Sequence, residues 1–188
     1  MDKQSLILVT GPARSGKSEW AENLAQKSGQ SVIYIATSTV DPEDVDWQNR
    51  VQQHQCRRPA NWQTLAVPIQ LTEALQTCSR SDTCLLIDSL GTWLANLLDQ
   101  DEVTWEKTLT LLINSLKHLP GTVIFVAEET GWGVVPAYPI GRVFRDRLGT
   151  LTRQIGSMAD IVYLVTGGHV LNLSQLGSPL INSIKPDL

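Results

Sequence analysis

The chain has 188 residues, of which 42% are hydrophobic and 18% charged, with a formal net charge of −4. That length and balance predict one globular domain with a full core rather than a disordered or fibrous chain. Weak net acidity argues against nucleic acid or an anionic membrane as the main partner, and no stretch reaches the ~20 apolar residues of a membrane span.

The first apolar run, Leu6 to Thr10, leads into Gly11-Pro12-Ala13-Arg14-Ser15-Gly16-Lys17-Ser18. This fits G-x-x-x-x-G-K-S/T without a mismatch, and a helix-like stretch from Glu19 to Lys27 follows. Strand, glycine loop and helix start together form a phosphate cradle. The glycines let successive N–H groups face an anion, and the helix adds its positive end. In that frame Lys17 reaches the β- and γ-phosphates and Ser18 binds Mg²⁺. Trp20 and Leu24 share a helix face, and Gly29 marks its end.

A second run, Val32 to Ala36, is followed by a long polar stretch from Thr37 to Asn61 that turns basic. Asp41-Pro42-Glu43-Asp44 is a helix start, with a cap, a proline and acids against the dipole. A helix from Pro42 places Arg50 and His54 on one face, with Arg57, Arg58 and Pro59 following at once. The residues alone leave two readings of His54. It is either a passenger on a solvated basic face, or a nucleophile kept neutral by its reference pKa of ~6.5 and by the arginines around it.

Further along, a helix is expected near Leu71 to Cys78, a strand at Cys84 to Ile87, and a helix from Leu90 to about Leu98. Asp88 ends that strand, which makes it either a helix cap or the carboxylate that holds Mg²⁺ beside a phosphate loop. Trp105, Leu109, Leu112 and Leu116 form a helical stripe closed by Pro120. Thr122 to Ala127 reads as the fourth strand, Phe144 to Met158 as the last helical stripe, and Ile161 to Val165 as the fifth strand. His169 to Leu173 suits a short edge strand. Residues 1–173 are expected to form a single domain, and 174–188, rich in Ser, Gly, Pro and Asn, a loosely ordered tail. Trp20, Trp93 and Trp105 are expected in the core, while Trp47, Trp62 and Trp132 fall in irregular stretches.

The strand runs are continuous rather than alternating, as strands covered on both faces are. Their alternation with helices predicts an α/β fold of the P-loop NTPase kind: a mostly parallel central sheet with helices on both faces and ligands at the carboxyl ends of the strands. Cys56, Cys78 and Cys84 are few, odd in number and without metal spacing, and Met1-Asp-Lys-Gln lacks the basic start of a signal peptide. Both features predict a reduced, cytoplasmic protein.

Several motifs together resemble the bifunctional adenosylcobinamide kinase / adenosylcobinamide-phosphate guanylyltransferase family of cobalamin biosynthesis, over about Leu6 to Gly168. The phosphate loop is close to the family's G-G-A-R-S-G-K-S, and Tyr34-Ile-Ala-Thr37 matches its second strand end. Arg50-Val-Gln-Gln-His54 with Arg58-Pro59 and Trp62 matches R-I-x-x-H-x-x-x-R-P-x-x-W. Asp88-Ser-Leu-Gly-Thr-Trp93 resembles D-C-L-T-x-W, Glu129 to Pro136 resembles E-V-G-x-G-I-V-P, and Arg142 to Gly149 resembles R-x-F-R-D-x-x-G. The resemblance implies phosphorylation of adenosylcobinamide by GTP or ATP, then transfer of GMP from GTP to the corrinoid phosphate through a guanylylated histidine, here His54. It implies nucleotide contacts from Gly11 to Ser18 and from Ala36, Thr37, Ser38, Arg50, Gln55, Arg58 and Asp88, with Mg²⁺ on Ser18 and Asp88. It also implies a homotrimer. Three positions depart from the pattern. Ala66 stands where relatives carry a Glu in W-x-T-x-E, Thr152-Arg153 replaces N-Q, and Asn172 lies where a terminal basic residue is usual. A guanylyltransferase with a vestigial kinase and a plain small-molecule P-loop kinase are the alternatives. A switch GTPase is disfavoured, because neither N-K-x-D nor D-x-x-G occurs as a complete motif.

Overall fold

The structure, a computed structural model, describes residues 5–39 and 57–180. Its seven strands are β1 (Ser5–Gly11), β2 (Ser31–Ala36), β3 (Gln63–Ala66), β4 (Thr83–Asp88), β5 (Thr122–Glu128), β6 (Ile161–Thr166) and β7 (His169–Asn172). They form one sheet in the order β3-β2-β4-β5-β1-β6-β7. Every pairing is parallel except β6 with β7.

The helices among the described residues are α1 (Lys17–Lys27), α2 (Leu71–Cys78), α3 (Leu90–Ala95), α4 (Glu102–Leu116), α5 (Pro139–Met158) and α6 (Leu173–Leu176). The continuous apolar runs have the expected cause. Successive residues of β1 feed opposite cores, Leu6 and Leu8 packing with α2 to α5 and Ile7 and Val9 with Ala21 and Ala25 of α1. Trp93 and Trp105 are fully buried with their rings 6.2 Å apart. Trp20 is only half-buried and meets Tyr163 edge-on at 5.6 Å.

All five expected strands are present, and β7 is the edge strand anticipated from His169. The sequence reading missed β3, and two helices differ from it. The helix from Leu90 ends at Ala95 instead of Leu98, because Asn96 closes it. Its Nδ2 donates to the carbonyls of Thr37 at 2.8 Å and Pro68 at 3.0 Å, and the backbone tightens to three-residue closures at Asn96 and Leu97. The last long helix begins at Pro139 rather than near Phe144, with proline in its first turn. Ser174, on α6, accepts a hydrogen bond from Val162 N at 2.9 Å.

Candidate active site

The loop after β1 is shaped for an anion. Gly11 has no room for a Cβ, which would collide with the Val165 carbonyl, and Gly16 takes φ 91°, a left-handed conformation that favours glycine. Lys17 starts α1, is 9% exposed, and donates to the Pro12 carbonyl at 3.3 Å. Ser15 Oγ is buried with no hydrogen-bond partner among the described residues. A buried hydroxyl without a partner is costly, and a bound phosphate oxygen would satisfy it. Arg14 is exposed on the loop with φ 60°.

Asp88 lies at the carboxyl end of β4, two strands from β1, with β5 between them. It accepts a hydrogen bond from the Tyr34 hydroxyl at 2.9 Å. Burial, and after it the Asp88 charge, push the Tyr34 phenol far up, so it stays a donor at any working pH. The Arg58 guanidinium lies 3.4 Å over the Tyr34 ring and reaches Thr64 Oγ1 at 3.3 Å, while its Nε is buried without a partner among the described residues. Hydrogen bonds to a charged acceptor contribute roughly 1.5–3 kcal/mol, so Tyr34→Phe is expected to weaken Mg²⁺-nucleotide binding about tenfold with the fold intact. Titration with a fluorescent nucleotide checks this, and an unchanged affinity would separate Tyr34 from the site.

The remaining predicted residues fall into three groups. Ala36 pairs in register with Asp88, and Thr37 follows at the same strand end. Thr37 is fully buried and accepts from Ser89 N at 2.8 Å, with its hydroxyl also 2.6 Å from Thr92 Oγ1. Its side chain therefore braces the site from within, and Ser38 beside it is half-buried. Arg58 is brought to the Asp88 strand through Tyr34. His54, Arg50 and Gln55 lie outside the described residues. Arg57, three positions after His54, pairs with Glu19 at 3.0 Å and Glu22 at 3.3 Å on α1. Burial raises the Glu22 carboxyl above its usual range, and Arg57 opposes that shift. Ala66 is exposed and pairs with Ala36, so β3 ends without a carboxylate.

Two residues beside the loop were absent from the expected site set. Glu129 accepts from Thr10 Oγ1 at 2.6 Å and donates its N–H to the Gly11 carbonyl at 3.0 Å. Glu128 accepts from Ser89 Oγ at 2.5 Å and Gly91 N at 2.9 Å. Burial pushes the Glu128 carboxyl up, with Ser89 and Lys17 opposing the shift. The sequence signal for both was an acid pair ending an apolar strand, the same pattern that singled out Asp88.

The parallel sheet, the glycine loop at the carboxyl end of β1 and an acid at a nearby strand end define a P-loop nucleotide-binding enzyme. A protein of Pyrococcus horikoshii OT3 shares the architecture, with a TM-score of 0.57 over 98% of this chain and 93% of that one at 7% identity. An ATPase of the bacterial type III secretion system gives a TM-score of 0.55 over 94% of this chain and 53% of its own at 13% identity. Both likenesses bear on the fold alone.

Sequence comparison carries the assignment further. Residues 7–173 match the model of the cobinamide kinase / cobinamide phosphate guanyltransferase family, CobU, and the chain belongs to that family. It is 39% identical to the bifunctional adenosylcobalamin biosynthesis protein CobP of Pseudomonas aeruginosa, over 92% of this chain and 98% of the relative. It is 34% identical to CobU of Salmonella typhimurium, over 87% of this chain and 96% of the relative. The chain is thus a bifunctional enzyme, kinase and guanylyltransferase, of cobalamin biosynthesis.

Proposed function

We propose that the chain phosphorylates the adenosylated form of cobinamide and then guanylylates that phosphate through a covalent GMP on His54. The observation that carries this reading is the buried phosphate cradle, Ser15 Oγ and Lys17, which follows the carboxyl end of β1, with Asp88 at the carboxyl end of β4 two strands away. In the kinase step the acceptor hydroxyl attacks the γ-phosphorus while Lys17 and the loop N–H groups hold the charge that moves onto the leaving diphosphate. In the second step His54 attacks the α-phosphorus of GTP and releases pyrophosphate. The corrinoid phosphate then takes the GMP and frees the histidine. Support for the His54 assignment comes from Arg57, which ties the chain just after it to the helix that begins at Lys17.

Ser18 and Asp88 present hard oxygen donors, and no group of three or more His, Cys, Asp or Glu suited to a metal occurs among the described residues. That donor set fits Mg²⁺, which takes few protein ligands and completes its shell with phosphates and water. Bound there, Mg²⁺ would screen the phosphate charge. Ala36, Thr37, Ser38, Arg50, Gln55 and Arg58 complete the proposed nucleotide contacts. The enzyme is proposed to work as a cytoplasmic homotrimer with residues 1–173 as its one domain. Exposed Trp132, Val134, Val135 and Tyr138 support a surface that meets another molecule.

Intact mass after incubation with GTP and Mg²⁺ tests the transferase half, with peptide mapping at high pH because a phosphoramidate is acid-labile. A gain of one GMP on His54 is expected. Absence of any adduct, in protein that binds GTP, favours the plain kinase.

A further inference from the structure

Between the phosphate-loop strand and the Asp88 strand lies β5, and it ends in a carboxylate that neither the motifs nor the proposed mechanism use. Glu128 stands in register with Gly11 of β1, and Val126 of the same strand pairs with Asp88 of β4. The side chain therefore sits between the loop and Asp88. It feels the charge of both Lys17 and Asp88. Each of its oxygens has a separate task on the residues just past Asp88. Oε1 accepts from the Ser89 hydroxyl at 2.5 Å, and Oε2 accepts from Gly91 N at 2.9 Å.

Gly91 is what admits this contact. A Cβ at Gly91 would overlap the Glu128 carboxylate, its nearest neighbour there. The same short segment is held from its other side. Ser89 N donates to Thr37 Oγ1 at 2.8 Å, Thr37 N donates to the Asp88 carbonyl at 3.4 Å, and Tyr34 holds the Asp88 carboxylate. Among these braces Glu128 is the one supplied by a carboxyl side chain from the strand next to the phosphate loop.

We propose that Glu128 is a positioning residue which, through Ser89 and Gly91, fixes the end of β4 and with it the Asp88 carboxylate, for the divalent cation of the bound nucleotide. This rests on the reading of Asp88 as the carboxylate that faces that cation. A carboxylate accepting two donors in a half-buried site holds them more tightly than a neutral acceptor does. Its loss lets the β4 end shift while the nucleotide cradle itself stays intact.

The test uses the full chain with a non-hydrolysable GTP analogue and Mn²⁺, with free Mn²⁺ read by electron paramagnetic resonance. Glu128→Ala should weaken Mn²⁺ about tenfold in the presence of the analogue, while metal-free binding of the analogue stays within twofold. Gly91→Thr, which expels the carboxylate without altering it, should show the same loss. The double variant should be no weaker than either single one, because both remove one contact. Glu128→Gln keeps one acceptor and should fall between parent and alanine; it also serves as the reading if the alanine variant does not fold. Mn²⁺ binding within twofold of the parent in Glu128→Ala, or losses that multiply in the double variant, would overturn the proposal. Asp88→Asn is run beside them. If it too leaves Mn²⁺ binding unchanged, the reading of Asp88 fails. If it weakens Mn²⁺ and Glu128→Ala does not, only the positioning role fails.

Discussion

Lys17→Ala is expected to lower both the kinase and the guanylyl-transfer rates by about 10²- to 10³-fold, the usual order for removing one preorganised donor to developing phosphate charge. The two steps cleave different bonds of the triphosphate, β–γ in the first and α–β in the second. Each nevertheless leaves new negative charge on a phosphate held by the same loop, which has one lysine and, in Gly16, one left-handed glycine at the helix start. Among the described residues Lys17, 9% exposed, makes one hydrogen bond, at 3.3 Å to a loop carbonyl, and its charge also acts on Glu128, so its structural work without ligand is small. Stability should therefore fall by only about 1.5 kcal/mol, the low end for a hydrogen bond that involves a charged group. Steady-state assays of the two half-reactions, with thermal melts as control, decide it. Retention of either activity within tenfold would show that the two steps do not share this phosphate cradle.

The elements most legible in the sequence are the strands that carry a continuous apolar run. β1, β4 and β5 show as apolar runs because both of their faces are buried, and β2 and β6, which are partly exposed, still carry continuous apolar residues. β3 was not legible for the opposite reason. Gln63, Thr64 and Ala66 are exposed at the sheet edge, so the strand is held by backbone pairing to β2 and leaves no apolar pattern. The start of α5 was hidden in the same way, since Ile140 and Val143 face solvent and only Pro139 marks the first turn.

Legibility of the site divides along similar lines. The phosphate loop is a contiguous run whose glycines and lysine are needed at fixed spacing, so sequence alone locates it. Tyr34, Thr37 and Glu128 act through partners 39 to 55 positions away in the chain, at Asp88, Ser89 and Thr92. Such braces have no local signature. Thr37, anticipated as a nucleotide contact, holds Ser89 and Thr92 through its hydroxyl, and that bracing too has no local signal. What brings these residues together is the strand order, which inserts β5 between the loop and Asp88.

Substitution of His54 by alanine should separate the two activities that Lys17→Ala reduces together. In the kinase step the acceptor is a hydroxyl and the electrophile is the γ-phosphorus, so no enzyme nucleophile is called for. In guanylyl transfer by the proposed route the histidine forms the bond that carries GMP. Its loss should remove the covalent adduct altogether and cut transfer by about 10⁴-fold or more, as deleting a nucleophile does. Kinase turnover should survive within roughly tenfold, because Lys17, Ser15, Ser18 and Asp88 remain where β1, α1 and β4 put them. The contrast is diagnostic because a shared nucleotide site gives equal losses to any variant that merely weakens nucleotide binding. Equal loss of both rates in folded protein would make His54 a binding residue of the basic segment before Arg57. Persisting transfer without an adduct would mean that the corrinoid phosphate attacks GTP directly, and the arginines on either side of His54 would then serve to hold the triphosphate.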